Sequence, residues 1–240
     1  MRNLCVVVGV VLGLCAQAGA TVLTITANND NARDAFVWEK YEDGAFDYRA
    51  GSRHTNAVIE ADGADRGRPI HGLLMFEDLI GSGANQITPD SQIDSATLTL
   101  WYVNDNKNAD VNLYPMLVAW DEDSTWNSLG GGVLPGVNAG TEGMATGNFG
   151  RRDPVSVTVN ITDAVQLWAD GQENHGLGFV NTSTNGIQFA SSEVTAGDGN
   201  FHTPVLTVNH SIGVPEPITL AFLALGIPVM LFRKSGLARQ

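Results

Sequence analysis

The chain has 240 residues, 43% of them hydrophobic, and a formal charge of −13 at pH 7. That length allows one domain-sized core, and both cysteines, Cys5 and Cys15, lie near the start, so the rest of the chain has no disulfide and no cysteine metal site. The acidic balance disfavours nucleic acid and anionic membrane surfaces as partners.

In chain order, Arg2 gives a weakly positive start, Leu4 to Ala16 an apolar run, and Ala18-Gly19-Ala20 an A-x-A cleavage site. This predicts a signal peptide over 1–20 and a mature N-terminus at Thr21 after signal peptidase. A lipoprotein would need a small residue before its modified cysteine, and Leu4 and Leu14 occupy those places. The body, 21–213, keeps 9 of the 13 basic residues and 25 of the 26 acidic ones, a net charge near −16. Solubility is the simple account of that charge, and calcium binding by acidic loops the sharper one.

Short strand signals fill the body. Asn56 to Ala61, Ile70 to Leu79, Val111 to Val118, Leu177 to Asn181, Ile187 to Ala190 and Val205 to Val208 are strand candidates. Pro115 is expected to confine its strand to an edge or a bulge. Leu98, Leu100 and Tyr102 alternate with Thr97, Thr99 and Trp101, and Val155 to Ile161 alternates in the same way, the pattern of half-buried strands. Ser128 to Arg152 is Gly-rich and aperiodic and reads as a long loop. One helix is predicted over Asp163 to Asp170, with Thr162 as N-cap and Gly171 as its left-handed stop. Many short strands with one small helix predict an all-β sandwich with Trp126 and Trp168 in its core and their N–H groups bonded locally.

The chain ends with Val214-Pro215-Glu216-Pro217, an apolar run from Ile218 to Phe232, then Arg233-Lys234. As a helix those 15 apolar residues reach only about 22 Å, against a hydrocarbon core of about 30 Å, and Pro228 weakens the helix further. Arg233 and Lys234 would hold the end in the cytoplasm. The order and spacing over 214–240 resemble the PEP-CTERM sorting signal of bacterial exported proteins. The resemblance implies recognition by an exosortase-type membrane transpeptidase, removal of the tail, contact with the membrane only through the tail before processing, and delivery to the cell surface or extracellular matrix. An ordinary single-pass anchor or a buried core helix is the alternative.

Three motifs carry a second resemblance: Ile93-Asp94-Ser95-Ala96-Thr97-Leu98-Thr99-Leu100-Trp101, Trp120-Asp121-Glu122-Asp123-Ser124-Thr125-Trp126-Asn127, and Val159 to Trp168 followed by Gly171 and His175-Gly176-Leu177-Gly178-Phe179. In this order, with Phe189 to Glu193 and Thr203 to Val208 closing, they resemble the DNRLRE domain, related to the disaggregatase repeat and to alginate-type carbohydrate-binding modules. The resemblance spans about 34–209 and implies a jelly-roll-like sandwich of secreted or surface proteins. One strand departs from that pattern: Leu73-Leu74-Met75-Phe76-Glu77-Asp78-Leu79 lacks the family's arginine and holds an extra residue.

Trp101 shares the polar side of its strand with Thr97 and Thr99, a platform on which a sugar ring can stack, unless a loop covers it. Arg49, Arg53, Arg66 and Arg68, with His54 and His71, form the only basic concentration and can bind an acidic glycan, or pair with Glu60, Asp62 and Asp65. The candidate glycan residues are therefore Trp101, Arg49, Arg53 and Arg68. Candidate calcium ligands are Asp30 and Asp34, Asp105 and Asp110, and Asp121 and Asp123, although none matches a strict calcium-loop pattern. The five scattered histidines show no zinc spacing. No nucleophile elbow, zinc-protease helix or phosphate loop is present. The expected function is non-catalytic binding of extracellular polysaccharide. A matrix protein without a dedicated ligand, and a carboxylate-dependent polysaccharide-cleaving enzyme, are the alternatives.

Overall fold

The computed structural model describes residues 19–39, 41–42, 45–46, 58–63, 69–103, 109–143, 146–149, 156–194 and 202–212. Ala20–Ile212 form one compact unit. Its elements in chain order are β1 (Ala20–Thr26), β2 (Ala32–Trp38), β3 (Tyr41–Glu42), β4 (Ala45–Phe46), β5 (Val58–Ala61), β6 (Ile70–Phe76) and β7 (Ser91–Trp101). Then follow β8 (Ala109–Pro115), β9 (Thr146–Phe149), β10 (Ser156–Asn160), α1 (Thr162–Ala169), β11 (Leu177–Asn181), β12 (Ile187–Ala190) and β13 (Val205–Ile212).

Two antiparallel sheets form a sandwich. One has the order β1-β13-β7-β10, the other β2-β6-β11-β8-β9. The pair β12-β5 ties them along one side: Tyr102 bridges to Phe189 and Asp62 bridges to Ile70. Alternation makes the sandwich. Leu98, Leu100, Leu206 and Val208 of the four-stranded sheet are fully buried, and they face Leu74, Val111, Leu113 and Phe179 of the other. Each such side chain contributes about 1.5–3 kcal/mol on burial. Phe189 joins the two sides, its ring 6.0 Å from Phe179 and 5.6 Å from Tyr102. The alternation slips once in β7: Asn209 pairs with Ser95 but His210 with Ile93, leaving Asp94 as the extra residue of a β-bulge.

A second core lies on the outer face of the five-stranded sheet. Ala35, Val37 and Leu73 point out of the sandwich, and Met116, Trp120, Trp126, Leu129, Val133 and Ala139 cover them. The aperiodic loop is thus a lid in its first half and a strand, β9, in its second. Asn138 holds the lid together, donating to the carbonyls of Leu129 and Gly132 at 2.7 Å each and accepting from the Leu134 N–H at 2.7 Å. Gly132 has φ +78°, and a Cβ there would lie 2.4 Å from the Trp126 ring, so only glycine fits.

Two expectations are corrected. Because β9 pairs outside β8, the strand carrying Pro115 is not at the edge. Pro115 is tolerated as its last residue, where its carbonyl still accepts from the Gly140 N–H at 2.8 Å. At the helix, Thr162 is not the cap: α1 starts at Thr162, and its N-cap residue is Ile161, which makes no side-chain cap. Asn160 Oδ1 accepts from both the Thr162 N–H and its hydroxyl, and Thr162 Oγ1 accepts from the Ala96 N–H, so Thr162 pins the helix to β7. Gly171, with φ +102°, ends the helix as expected. Trp126 and Trp168 are both buried, at 7% and 4% exposure, but in different cores.

Candidate functional site

The outer face of the four-stranded sheet carries Trp101. In register across it, Thr97 lies between Thr207 and Asn160, Thr99 between Val205 and Thr158, and Trp101 beside Ser156. Residues directly opposite share a face, so the surface beside Trp101 is lined by hydroxyls and amides with Val205 among them, and the exposed Asp94 lies toward the start of β7. Thr99 and Thr158 share a hydrogen bond of 3.1 Å, and Asn209 Nδ2 donates to Ser95 Oγ at 2.7 Å. Trp101 is half-buried at the end of β7. Its ring lies 5.3 Å from that of His202, tilted by 55°, so an exposed histidine props one side of the indole. The arrangement offers an aromatic surface beside fixed hydroxyls, the combination that receives the apolar face and the rim of a sugar ring.

Of the predicted basic concentration, Arg49, Arg53, Arg66, Arg68 and His54 lie outside the described residues. His71 is described and does not contribute charge. It is buried against the Trp126 ring at 4.8 Å, its Nδ1 accepts from the Val133 N–H at 2.9 Å, and burial pushes its pKa down to about 4. It holds the lid to β6.

The acidic candidates are dispersed. Asp30 is exposed in the turn between β1 and β2, where Asn28 Oδ1 accepts from its N–H at 2.8 Å. Asp110 is exposed at the start of β8, and its carbonyl accepts from the Thr182 N–H at 2.8 Å. Asp105 lies outside the described residues. Asp121 and Asp123 are brought together with Glu122, Arg33 and Glu77 around a cleft of about 470 Å³. There Arg33 pairs with Glu77 and donates to the Trp120 carbonyl at 3.0 Å. Arg33 stands directly across the ladder from Met75 of β6. Asp121 Oδ1 already accepts from the Asp123 N–H at 3.0 Å and the Ser124 hydroxyl at 3.1 Å. Among the described residues, no group of three or more His, Cys, Asp or Glu is placed to hold a metal ion.

Asp34 is separate from these loops. It is buried within β2, and its Oδ2 accepts from the Ser192 N–H at 2.7 Å. Burial first, then the Glu193 carboxylate and more weakly that of Glu122, raise its pKa to about 7, against the pull of the Ser192 groups. The Ser192 hydroxyl lies near enough to contribute to that pull but forms no hydrogen bond. Ser191 Oγ donates to Glu193. Sequence reasoning missed this pair, since 159 positions separate Asp34 from Glu193. The only local signal was the polar Ser191-Ser192-Glu193 run directly after β12.

The sorting-motif residues Val214, Pro215, Glu216, Pro217, Arg233 and Lys234, and the predicted signal peptide, lie outside the described residues. Among the described residues, no helix is long and apolar enough to cross a membrane. No family model matches the chain, and neither a curated protein nor a solved structure matches it.

Proposed function

We propose that this is an exported, non-catalytic protein of the cell surface or extracellular matrix whose sandwich binds polysaccharide through the face bearing Trp101. The observation that carries the reading is the half-buried indole beside the hydroxyls of Ser156, Thr158 and Thr99. The lack of charge in the strand positions next to Trp101, and the strongly acidic body, favour neutral glycans over acidic ones. Two antiparallel sheets tied along one side by β5 and β12 support the jelly-roll-like, DNRLRE-type reading. The signal-peptide pattern over 1–20 and the PEP-CTERM-like tail over 214–240 support export, handling by signal peptidase and an exosortase-type transpeptidase, and transient membrane anchoring. Calcium remains part of the proposal only through the cleft at Asp121 and Asp123.

The test is native-gel retardation in gels cast with neutral or acidic polysaccharides. The wild type should be retarded by at least one glycan. Trp101→Ala should lose that retardation while keeping its melting temperature. Unchanged retardation removes Trp101 from the site, and a wild type that binds no glycan puts the matrix-structural reading ahead.

A further inference from the structure

The lid over the second core closes onto an imidazole. His71 lies on the outer face of β6, directly opposite Val37 of β2 and Val180 of β11. It is buried, the Trp126 ring packs against it at 4.8 Å, and its Nδ1 accepts from the Val133 N–H at 2.9 Å. A Cβ on Gly132 would lie 2.7 Å from that same nitrogen, so the lid backbone presses directly on the ring. An Nδ1 that accepts a hydrogen bond belongs to the neutral tautomer, with the ring proton on Nε2. A proton on Nδ1 turns the acceptor into a second donor facing the Val133 N–H.

The stems of the lid are held by bonds that do not involve His71. Trp120 Nε1 donates to the His175 carbonyl at 2.7 Å, and Arg33 donates to the Trp120 carbonyl at 3.0 Å. At the other stem the Gly140 N–H donates to the Pro115 carbonyl at 2.8 Å. Between the stems, the side-chain hydrogen bonds of Asn138 run to Leu129, Gly132 and Leu134, all within the lid. The segment 126–138 is thus tied to itself and to its stems, and it meets the sheet through apolar packing and the His71 bond. Such a segment can open as a unit while the rest stays folded.

We propose that the segment 126–138 is an acid-released cover: protonation of His71 breaks its bond to Val133, the segment leaves the sheet, and the apolar outer face formed by Ala35, Val37 and Leu73 is exposed while the sandwich stays folded. Among the described residues, those that meet the ring from β2, β11 and the lid are Val37, Val180, Trp126, Gly132 and Val133, none of them titratable. Farther along the outer face, Arg33 is paired with Glu77, the half-buried Glu39 follows Val37 by two positions, and Tyr114 of β8 packs against the same core. Burial alone pushes the His71 pKa down to about 4. Opening restores the ordinary 6.5, so the opening constant should rise about 100-fold between pH 7 and 4, and no more than about 300-fold in all. Asp34 has the opposite linkage, but it is bonded to Ser192 N–H at the end of β12, away from the lid, and keeps that partner when the lid opens. Acid therefore acts on the two parts with opposite signs, and the response is local.

The test is hydrogen exchange of the full chain at a series of pH values from 7 to 3.5, read by mass spectrometry and corrected for the intrinsic pH dependence of exchange. Protection in peptides covering 126–138 should fall about 100-fold between pH 7 and 4, while peptides from β7 and β13 keep most of theirs. His71→Asn keeps an oxygen for the Val133 N–H but takes up no proton, and its lid should stay protected at pH 4. If that variant does not close the lid at neutral pH, the wild type decides: the His71 ring, followed by NMR, should titrate with the same midpoint as the loss of lid protection. Lid protection that does not change with pH, or that falls in step with β7 and β13, would overturn the proposal. So would a closed His71→Asn lid with the wild-type pH dependence, or a ring that titrates apart from the lid.

Discussion

Replacing Asp34 with Asn should remove one of two opposing pH dependences and expose the other. Asp34 has an ordinary pKa of 3.8 and a folded value of about 7. Between those values the native state holds a proton that the unfolded chain has released. The resulting stability is fully present below about pH 4 and is lost as pH rises through 7, with an upper size on the order of 4 kcal/mol at about 1.4 kcal/mol per unit. His71 acts in the reverse direction. Its pKa falls from 6.5 to about 4, so the unfolded chain binds a proton that the native state refuses. Stability is lost as pH falls from 6.5 to 4, by up to about 3 kcal/mol. In the wild type the two slopes largely offset each other between pH 4 and 6.5. Asp34→Asn keeps an oxygen for the Ser192 N–H but carries no proton to lose. Urea unfolding followed by tryptophan fluorescence should show its stability climbing across that range. The difference, mutant minus wild type, should increase by up to about 4 kcal/mol from pH 4 to 8, and subtraction cancels the carboxylates common to both proteins. Glu193→Gln should shrink the effect by lowering the Asp34 pKa. A mutant-minus-wild-type difference that does not vary with pH would show that Asp34 is ionised throughout and refute the reasoning.

Trp168→Ala and Trp126→Ala should each cost about 3–5 kcal/mol in urea melts, one by opening the main core and the other by releasing the lid. A loss below about 1 kcal/mol would place that ring outside its core. If Asp121 and Asp123 hold calcium, the melting temperature should climb with calcium and drop with chelator; identical curves would leave the acidic loops as solvation only. Protein recovered from its host should have an intact mass that begins at Thr21 and lacks the segment after Pro217, and a full-length mass would end the export reading.

Where the pattern was local, the sequence was enough. Alternation at Leu98 to Trp101 and Val155 to Ile161 placed β7 and β10, and the apolar runs at 177–181 and 187–190 placed β11 and β12 with their ends intact. Gly171 stopped the helix because only a left-handed residue can accept that turn. The outward side of Trp101 followed from the two-residue period alone. Strands β1 and β2 carried weaker signals. In β2, Ala35 and Val37 face the lid while Ala32 faces the main core, so both sides are apolar and no alternation survives.

The remainder depended on pairings distant in sequence. Composition alone made Ser128 to Arg152 a loop, and folding made its first half part of the cover of a second core, since Leu129 and Val133 gain burial only once β2 and β6 are side by side. Asp34 read as a candidate calcium ligand beside Asp30 because its neighbour Glu193 and the low dielectric around it exist only when β2 meets the end of β12. His71 read as a basic residue and became a neutral one for the same reason. The Trp168 N–H, expected to find a local partner, has none: the ring is buried in the main core, and no acceptor lies within reach of its nitrogen. Residue type and period determine which way a side chain faces. Whether that side is covered, and by what charge, is decided by contacts that no local pattern encodes.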